Sequence, residues 1–238
     1  ENFRGRLLYV RGNRMDSMQV VHAVYDGVEH ERLSHLDNSS AEIIRRGNEI
    51  VCVHPDARLT RLGTAGAGTP FRQFAVVDDG IPQVYELVNA GESRVAGRTV
   101  DLLKVMPRDT FRYGYRLWVD RESRLPVRYE IVNRKGAPLE SVEFVELETG
   151  IQVPRELFVP PPGRDGRVLA ITASEEALMP AVAPSWLPAG FRVTGSELQR
   201  FGDDAEPAAA VTYSDGLAAF SFFVERAGAD ARPMGRQI

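Results

Sequence analysis

Apolar and polar residues alternate with a period of two along most of the chain. This alternation is typical of antiparallel strands that bury one face. It is clearest between residues 111 and 147, where polar turns at 121–124 and 133–136 separate three runs and predict a three-stranded meander. The two apolar rows of this meander are Phe111, Tyr113, Tyr115, Leu117 and Val119, and Leu125, Val127, Tyr129 and Ile131.

The first third of the chain shows the same period and predicts further strands. Asp26-Gly27 is a strong hairpin signal between two of them. Residues 81–90 are ambiguous, because Pro82 suits the first turn of a helix whereas 84–88 favours a strand. We favour a strand that leads into another. The other predicted strands are 6–11, 18–25, 29–36, 42–46, 50–54 and 94–106.

So many antiparallel strands with little helix must close or curl. Roughly ten strands fit between residues 6 and 158, and a flat open sheet of that size leaves one apolar face in water. Large or incompletely closed barrels keep an interior cavity. The pattern therefore predicts a β-shell with a cavity. The glycine-rich stretch 60–69 is predicted to be a connector, the alternative being a mobile lid over that cavity.

The texture of the sequence changes near residue 159. The run PPPGRDG at 160–166 is typical of a linker that is first stiff and then flexible. The residues beyond Pro184 are few for an independent core, so they predict a small, β-rich unit. We therefore predict a half-barrel domain over 1–158, a linker over 159–183 with a helical turn at 174–178, and a C-terminal domain over 184–238 with strands at 211–213 and 219–225.

Composition excludes several classes of protein. With 43% hydrophobic and 26% charged residues, the chain of 238 residues is an ordinary globular sequence. The formal net charge of −4 gives no basic footprint for nucleic acid. No apolar run approaches the ~20 residues that span a bilayer. The single cysteine, Cys52, cannot form an intramolecular disulfide. The sequence leaves open whether the chain is a monomer or a homo-oligomer.

The residue types that perform chemistry do not converge. No spacing among the four histidines, His22, His30, His35 and His54, proposes a zinc site. No serine lies in a G-x-S-x-G elbow, and Cys52 lies in an apolar strand, where a thiol is inert. We therefore predict a protein that is not an enzyme and that has neither a metal nor a cofactor.

Arginine dominates the basic residues. Of 29 basic residues only Lys104 and Lys135 are lysines. Arginine binds carboxylates and phosphates in a bidentate manner. We expect Arg112, Arg116 and Arg128 to pair across the outer face of the meander, with Glu130 as a partner. The alternative is contact with an anionic head group or an acidic peptide.

Four stretches of the sequence resemble the MucB/RseB regulators of the envelope-stress sigma factor. They span nearly the whole chain in the order of that family. The segment VAGR at 95–98, together with the meander, also resembles the periplasmic lipoprotein carriers LolA and LolB. The four stretches are DGVEHERLSHLD (26–37) with EIIRRGNEI (42–50), RYGYRLWVD (112–120) with SRLPVR (123–128), WLPAGF (186–191) and YSDGLAAFS (213–221).

The resemblance implies a mainly β protein with a LolA-like unclosed antiparallel β-barrel and a smaller β-rich C-terminal domain. It implies a periplasmic protein that binds the periplasmic part of a membrane anti-sigma factor (RseA or MucA), shields it from the site-1 protease and is released by lipopolysaccharide or a related acylated lipid. It also implies a signal peptide and part of a first helix before Glu1, and further strands after Ile238. DNSS at 37–40 departs from a family turn that usually contains Gly and Pro.

Two sets of candidate site residues follow. A runner-up function, a lipid or lipoprotein carrier of the LolA/LolB type, has the barrel without the second domain. If the opposite face of the strands lines the cavity, Trp118 lines it instead of the lipid candidates. For each partner candidate, the favoured alternative is a place in the core of the C-terminal domain. The candidates are Phe111, Tyr113, Tyr115, Leu117, Leu125, Val127 and Tyr129 for lipid, and Trp186, Phe191, Tyr213, Phe220 and Phe222 for the partner.

Overall fold

The computed structural model describes residues 1–36, 42–47, 49–56, 58–62, 80–162, 164–168, 184–199 and 208–224. These residues are mainly in strands, which confirms the predicted class. One short helix, α1 (Ile81–Val84), and a 3₁₀ turn (Arg155–Phe158) interrupt them. The strands are β1 (Phe3–Arg11), β2 (Arg14–Tyr25), β3 (Val28–His35), β4 (Glu42–Arg46), β5 (Glu49–Val53), β6 (Arg58–Leu62), β7 (Tyr85–Val95), β8 (Arg98–Pro107), β9 (Gly114–Asp120), β10 (Pro126–Val132), β11 (Pro138–Thr149), β12 (Arg164–Val168), β13 (Arg192–Gln199), β14 (Ala208–Ser214) and β15 (Ala219–Val224).

Twelve of the described strands form one open sheet. Its order is β12-β6-β5-β4-β3-β2-β1-β11-β10-β9-β8-β7, and every neighbouring pair except β12 with β6 is antiparallel. In the described part of the chain the edge strands β7 and β12 do not pair with each other. The prediction of an unclosed antiparallel sheet is therefore confirmed. A separate sheet, in the order β13-β14-β15, forms the smaller C-terminal unit.

The main core lies against one face of the large sheet. Register places Leu7 opposite both Met18 and Phe144, and Val20 opposite Leu33, so all five side chains project from the same face. All five are buried. The strand alternation in the sequence has its physical cause here, because every second residue enters this core.

Gly5 allows β1 and β11 to pack closely around the Phe144 ring. A Cβ atom at this position would lie 2.5 Å from the ring and 2.6 Å from the Glu146 carbonyl oxygen. Since the second of these atoms belongs to the backbone, any larger residue would displace the strand pair. The glycine is therefore required by space rather than by a turn.

A second, smaller core covers the opposite face near β2 and β4. Phe158, from the 3₁₀ turn, is fully buried and packs with Val21, Ala23, Ile44 and Val153. The chain after β11 thus folds back across the sheet, and its apolar side chains bury that face.

Charged side chains form ladders on the outer face of the meander. Arg116 lies 3.0 Å and Arg128 2.6 Å from the Glu130 carboxylate, and the Arg128 guanidinium stacks on the Trp118 ring. The predicted pairing of Arg116 and Arg128 with Glu130 is confirmed. The prediction for Arg112 is wrong, because this residue lies in the loop before β9 and pairs elsewhere.

Several local predictions differ from the structure. Residues 81–84 are helical rather than extended, because Pro82 occupies the first turn of α1. The predicted linker 159–183 includes β12, and β13 is a strand that the sequence did not reveal. The connector predicted over 60–69 is wrong over residues 60–62, which belong to β6. Its residues 63–69 and the predicted helical turn at 174–178 lie outside the described residues.

Asp120 holds an arginine that joins two strands that are not neighbours, β8 and β11. Its carboxylate accepts hydrogen bonds from Arg98 Nη1 at 2.9 Å and from the Ser123 hydroxyl at 2.6 Å. The same guanidinium also donates to Thr149 Oγ1 at 3.2 Å and so reaches β11. Although burial opposes ionisation, the bonds from Ser123 and Arg98 hold the pKa of Asp120 below its ordinary value.

Asp120→Asn is expected to lower the free energy of unfolding by about 1.5–3 kcal/mol at neutral pH, because it removes a charged acceptor of buried hydrogen bonds. A carboxyl group whose pKa is depressed on folding stabilises the protein above its unfolded pKa and loses this effect as the pH falls. The difference between the variant and the parent should therefore shrink below about pH 4. Urea titrations across pH measure it.

Asp26→Asn is the matched control, because Asp26 pairs with Arg155 on the surface with 81% of its side chain exposed. Removing such a pair changes stability by less than about 1 kcal/mol. Equal effects of the two substitutions would contradict the role given to Asp120.

Candidate functional site

The predicted apolar row of the meander lies in the main core. Leu117 faces Tyr129 across β9 and β10, so the two predicted rows share a face of the sheet. Tyr115, Leu117, Val127 and Tyr129 are each at most 9% exposed. An alkyl chain that reaches these side chains would have to displace atoms that already pack on them.

Tyr129 of this row takes part in a small hydrogen-bonded cluster. The Tyr9 and Tyr129 hydroxyls donate to the two oxygens of the Glu140 carboxylate at 3.1 Å and 3.3 Å. Burial, and then the charge of Glu140, raise the pKa of Tyr129. Both phenols therefore stay protonated near neutral pH and act as donors.

Three of the predicted lipid residues lie outside the strands. Phe111 and Tyr113 precede β9 and are 59% and 55% exposed, and half-buried Leu125 precedes β10. The strand predicted from residue 111 is wrong over its first three positions. Asp109 is the reason, because its carboxylate accepts the backbone N–H of Phe111 and the guanidinium of Arg112 and so forms a loop.

Arg112 leaves this loop and enters the C-terminal unit. Its guanidinium donates to Asp215 Oδ2 at 2.5 Å, to Asp109 Oδ2 at 2.8 Å and to the Ala189 carbonyl at 2.7 Å. The side chains of Arg112 and Asp215 are both fully buried. The guanidinium also lies 5.1 Å from the centre of the Phe191 ring. A buried ion pair between residues 103 positions apart thus fastens the two parts of the chain together.

Asp215 is satisfied from both sides. Its Oδ1 accepts the backbone N–H groups of Leu217 and Ala218, which shapes the β14–β15 turn. Its Oδ2 accepts the Tyr85 hydroxyl at 3.0 Å in addition to Arg112. Desolvation by burial is the main cause that raises the pKa of Tyr85. The phenol is therefore a fixed donor in this cluster.

The β14–β15 turn also lies on the apolar row. Tyr115 donates its hydroxyl to the Leu217 carbonyl at 3.2 Å, and the Leu217 side chain packs on the main core. Gly190 packs closely on α1, since a Cβ atom at this position would lie 3.2 Å from a methyl group of Val84. Tyr115 thus belongs both to the predicted lipid row and to the contact between the two units.

Four of the five predicted partner residues form an aromatic cluster, whereas Trp186 contacts Phe111. Tyr213 is buried and stacks on Phe220 at 5.3 Å, and Phe191 packs on Phe220 at 5.2 Å. Phe222 also contacts Tyr213, yet it is 44% exposed. The favoured alternative, a place in the core, is wrong for Trp186, which is 61% exposed. Its ring contacts the Phe111 ring in a T-shaped arrangement with the ring centres 4.9 Å apart.

A small pocket lies far from both sets of predicted residues. It has a volume of about 140 Å³ and is lined by Ile44, Arg46, Glu49, Val51 and Pro160. Ligand pockets usually measure about 300–1,000 Å³. Among the described residues no group of three or more His, Cys, Asp or Glu side chains is placed to hold a metal ion, and no helix there is long and apolar enough to span a membrane.

Sequence reasoning missed the Arg112–Asp215 pair. Arg112 was expected on the outer face of a strand, and Asp215 was not singled out. The Asp109-x-x-Arg112 spacing was the local signal for a loop, because aspartate three residues before an arginine can fold back on it. No signal in a single sequence points from residue 112 to residue 215.

Two family models match the chain: MucB/RseB N-terminal domain over residues 1–162 and MucB/RseB C-terminal domain over residues 180–237. The sigma factor AlgU regulatory protein MucB of Pseudomonas aeruginosa is 34% identical over 225 residues, which are 94% of this chain and 69% of that protein. The sigma-E factor regulatory protein RseB of Escherichia coli is 27% identical over 234 residues, 95% of this chain and 71% of that protein.

The fold is similar to that of a solved complex, Pseudomonas aeruginosa MucA/MucB. The TM-score is 0.68 at 30% identity, with 93% of this chain and 74% of that chain covered. A structure of MucB alone gives a TM-score of 0.66 with the same identity. The similarity therefore extends over both the large sheet and the C-terminal unit.

Asp215→Asn is expected to destabilise the contact between the two units by about 3 kcal/mol, because the fully buried Arg112 guanidinium keeps only the half-buried Asp109 as counter-ion. In a Trp118→Phe background, Trp186 fluorescence should then change at a lower urea concentration than the far-ultraviolet circular dichroism of the large sheet.

The double substitution Arg112→Met/Asp215→Asn should recover much of the loss, because it leaves neither charge buried, and an amide oxygen at position 215 can still accept the backbone N–H groups of Leu217 and Ala218. A single, unshifted transition in Asp215→Asn would show that the pair does not hold the units together.

Proposed function

The chain belongs to the MucB/RseB family, and we propose that it is a periplasmic regulatory protein that binds the periplasmic segment of a membrane anti-sigma factor and so represses an envelope-stress sigma factor. The observation that carries this proposal is the likeness, over 93% of the chain, to MucB in its complex with MucA. A sigma factor regulatory protein acts by binding, and in the described residues no convergent metal set argues for catalysis.

We also propose the division of the chain into a half-barrel domain at 1–158, a linker at 159–183 and a C-terminal domain at 184–238. The two separate sheets and the two family matches support it. The Arg112–Asp215 pair joins these domains into one body.

The exposed pair of Phe111 and Trp186 is the proposed centre of partner contact. Each domain contributes one ring, and both rings are about three-fifths exposed. Exposed aromatic residues that meet at a junction are typical binding hot spots. Tyr113 and Phe222 extend this surface, whereas Phe191, Tyr213 and Phe220 support it from within.

Binding at this junction accounts for shielding of the partner. A protease must hold its substrate in an extended conformation, and a segment packed on the regulator is not available for that. We propose that the segment of the anti-sigma factor is protected from the site-1 protease in this way for as long as both domains hold the aromatic pair together.

Lipid is proposed to relieve repression through Tyr115. The buried row of Tyr115, Leu117, Val127 and Tyr129 is the apolar surface for an acyl chain, and Leu125 lies beside it. Burying a twelve-carbon acyl chain contributes roughly 9 kcal/mol before association costs. Because Tyr115 holds Leu217 of the C-terminal domain, an acyl chain on this row displaces the β14–β15 turn. Couplings of ~1–3 kcal/mol would lower partner affinity about 5–150-fold.

The runner-up function is a carrier of lipids or lipoproteins of the LolA/LolB type. The carrier function requires the same apolar row but gives the C-terminal domain no task. The fully buried ion pair between the domains favours the regulator.

Trp186→Ala and Phe111→Ala should each weaken binding of the cognate anti-sigma periplasmic segment by about 30-fold, the typical effect of a hot-spot residue, with the unfolding midpoint unchanged. Isothermal titration calorimetry measures the affinity. Val28→Ala is the matched control, because Val28 is 44% exposed on β3, which four strands of the large sheet separate from β9. Absence of any binding by the parent protein would refute the regulator function, and normal binding by both variants would refute the surface.

A lipid with a saturated twelve-carbon chain should lower the affinity of the parent protein for the segment, and Tyr115→Phe should alter this coupling while leaving the apolar row intact. The substitution removes only the hydroxyl that donates to Leu217. Calorimetry with and without lipid measures the coupling. If lipid leaves the affinity of the parent unchanged, the sensing part of the proposal fails while the regulatory part stands.

A further inference from the structure

One end of the large sheet carries a cluster of cations that the proposed function does not use. Arg11 and Arg14 face each other across the β1–β2 hairpin, and Arg134 and Lys135 occupy the β10–β11 turn. The two turns are neighbours, because β1 pairs with β11 and Arg11 lies opposite Glu140. All four side chains are exposed. We call these four residues the basic rim.

The basic rim lacks the compensation found elsewhere on the molecule. Arg4, Arg116, Arg121 and Arg155 each meet a carboxylate at 3.0 Å or less. None of the four rim cations forms an ion pair with a carboxylate among the described residues. The chain as a whole carries a net charge of −4, so this local excess of positive charge stands against the overall balance.

Exposed apolar side chains accompany the cations. Met15, next to Arg14, is 66% exposed, and Leu139, beside the second turn, is 39% exposed. Basic side chains with a few projecting apolar ones are the composition of surfaces that lie on anionic membranes. A site for a single small anion would instead require buried donors that converge. The rim side chains are exposed and lie on separate turns, so they suit an extended charged surface.

We propose that the basic rim docks the protein on the surface of an anionic lipid bilayer. The contact is made with head groups and differs from the acyl chain proposed for the buried row. It also orients the molecule: Val132, which leads into the rim turn, pairs with Gly114, which directly follows the loop of Phe111 and Tyr113. Docking therefore holds the junction of the two domains close to the membrane, where a membrane-anchored segment emerges.

Vesicle flotation tests the proposal with the full chain. The parent should float with phosphatidylcholine vesicles that contain about one third phosphatidylglycerol and should stay unbound with pure phosphatidylcholine. Each basic residue near an anionic surface contributes about fivefold to partitioning, so Arg14→Ala/Lys135→Ala should reduce it by about 30-fold. Raising the salt to about 0.5 M should release the parent, because the Debye length falls below 5 Å.

Arg94→Ala/Arg124→Ala is the matched control. It removes the same charge from exposed side chains at the turns of the opposite end of the sheet, and it should float as the parent does. Equal loss by both double variants, equal binding to both vesicle types, or no binding to the anionic vesicles would overturn the proposal. Release by inorganic phosphate beyond that by chloride of equal ionic strength would point to a discrete anion site and would also overturn it.

Discussion

The contact between the two domains depends on one buried ion pair. Arg112 and Asp215 are both removed from water, and desolvation of two charges costs several kcal/mol per ion unless every hydrogen-bonding position is filled. The structure fills them: Asp215 accepts from Tyr85, Arg112 and its own turn, and Arg112 also donates to Asp109 and Ala189. Such a pair tolerates little displacement, so it specifies one docking geometry.

The small domain covers part of the apolar face of the open sheet. An unclosed sheet has an apolar face that its own strands do not cover, and a three-stranded unit alone buries little surface. Leu217 on the main core, and Tyr115 bonded to its carbonyl, bring the two together at one end of that face. Leu217 therefore packs on the main core and, through its carbonyl oxygen, also joins the two domains.

The alternation of residues predicted most of the fold because burial of one face acts at every second position. The shared face of Leu117 and Tyr129 follows directly from it. The alternation failed at Phe111 and Tyr113, where Asp109 bonds override the period, and at β13, where Thr194, Gly195 and Ser196 weaken it. The partner of Arg112 could not be predicted, because a pairing between distant loops leaves no local pattern.

The path of the covalent chain has a mechanical consequence. After the 3₁₀ turn the chain joins one edge of the sheet as β12, beside β6, whereas the C-terminal domain is fastened near the other edge, at Tyr85 and Arg112. The C-terminal domain is therefore joined covalently to one margin of the sheet and by a buried ion pair to the other. If the two margins separate by more than the residues between Val168 and Pro184 can span, the load falls on the Arg112–Asp215 pair.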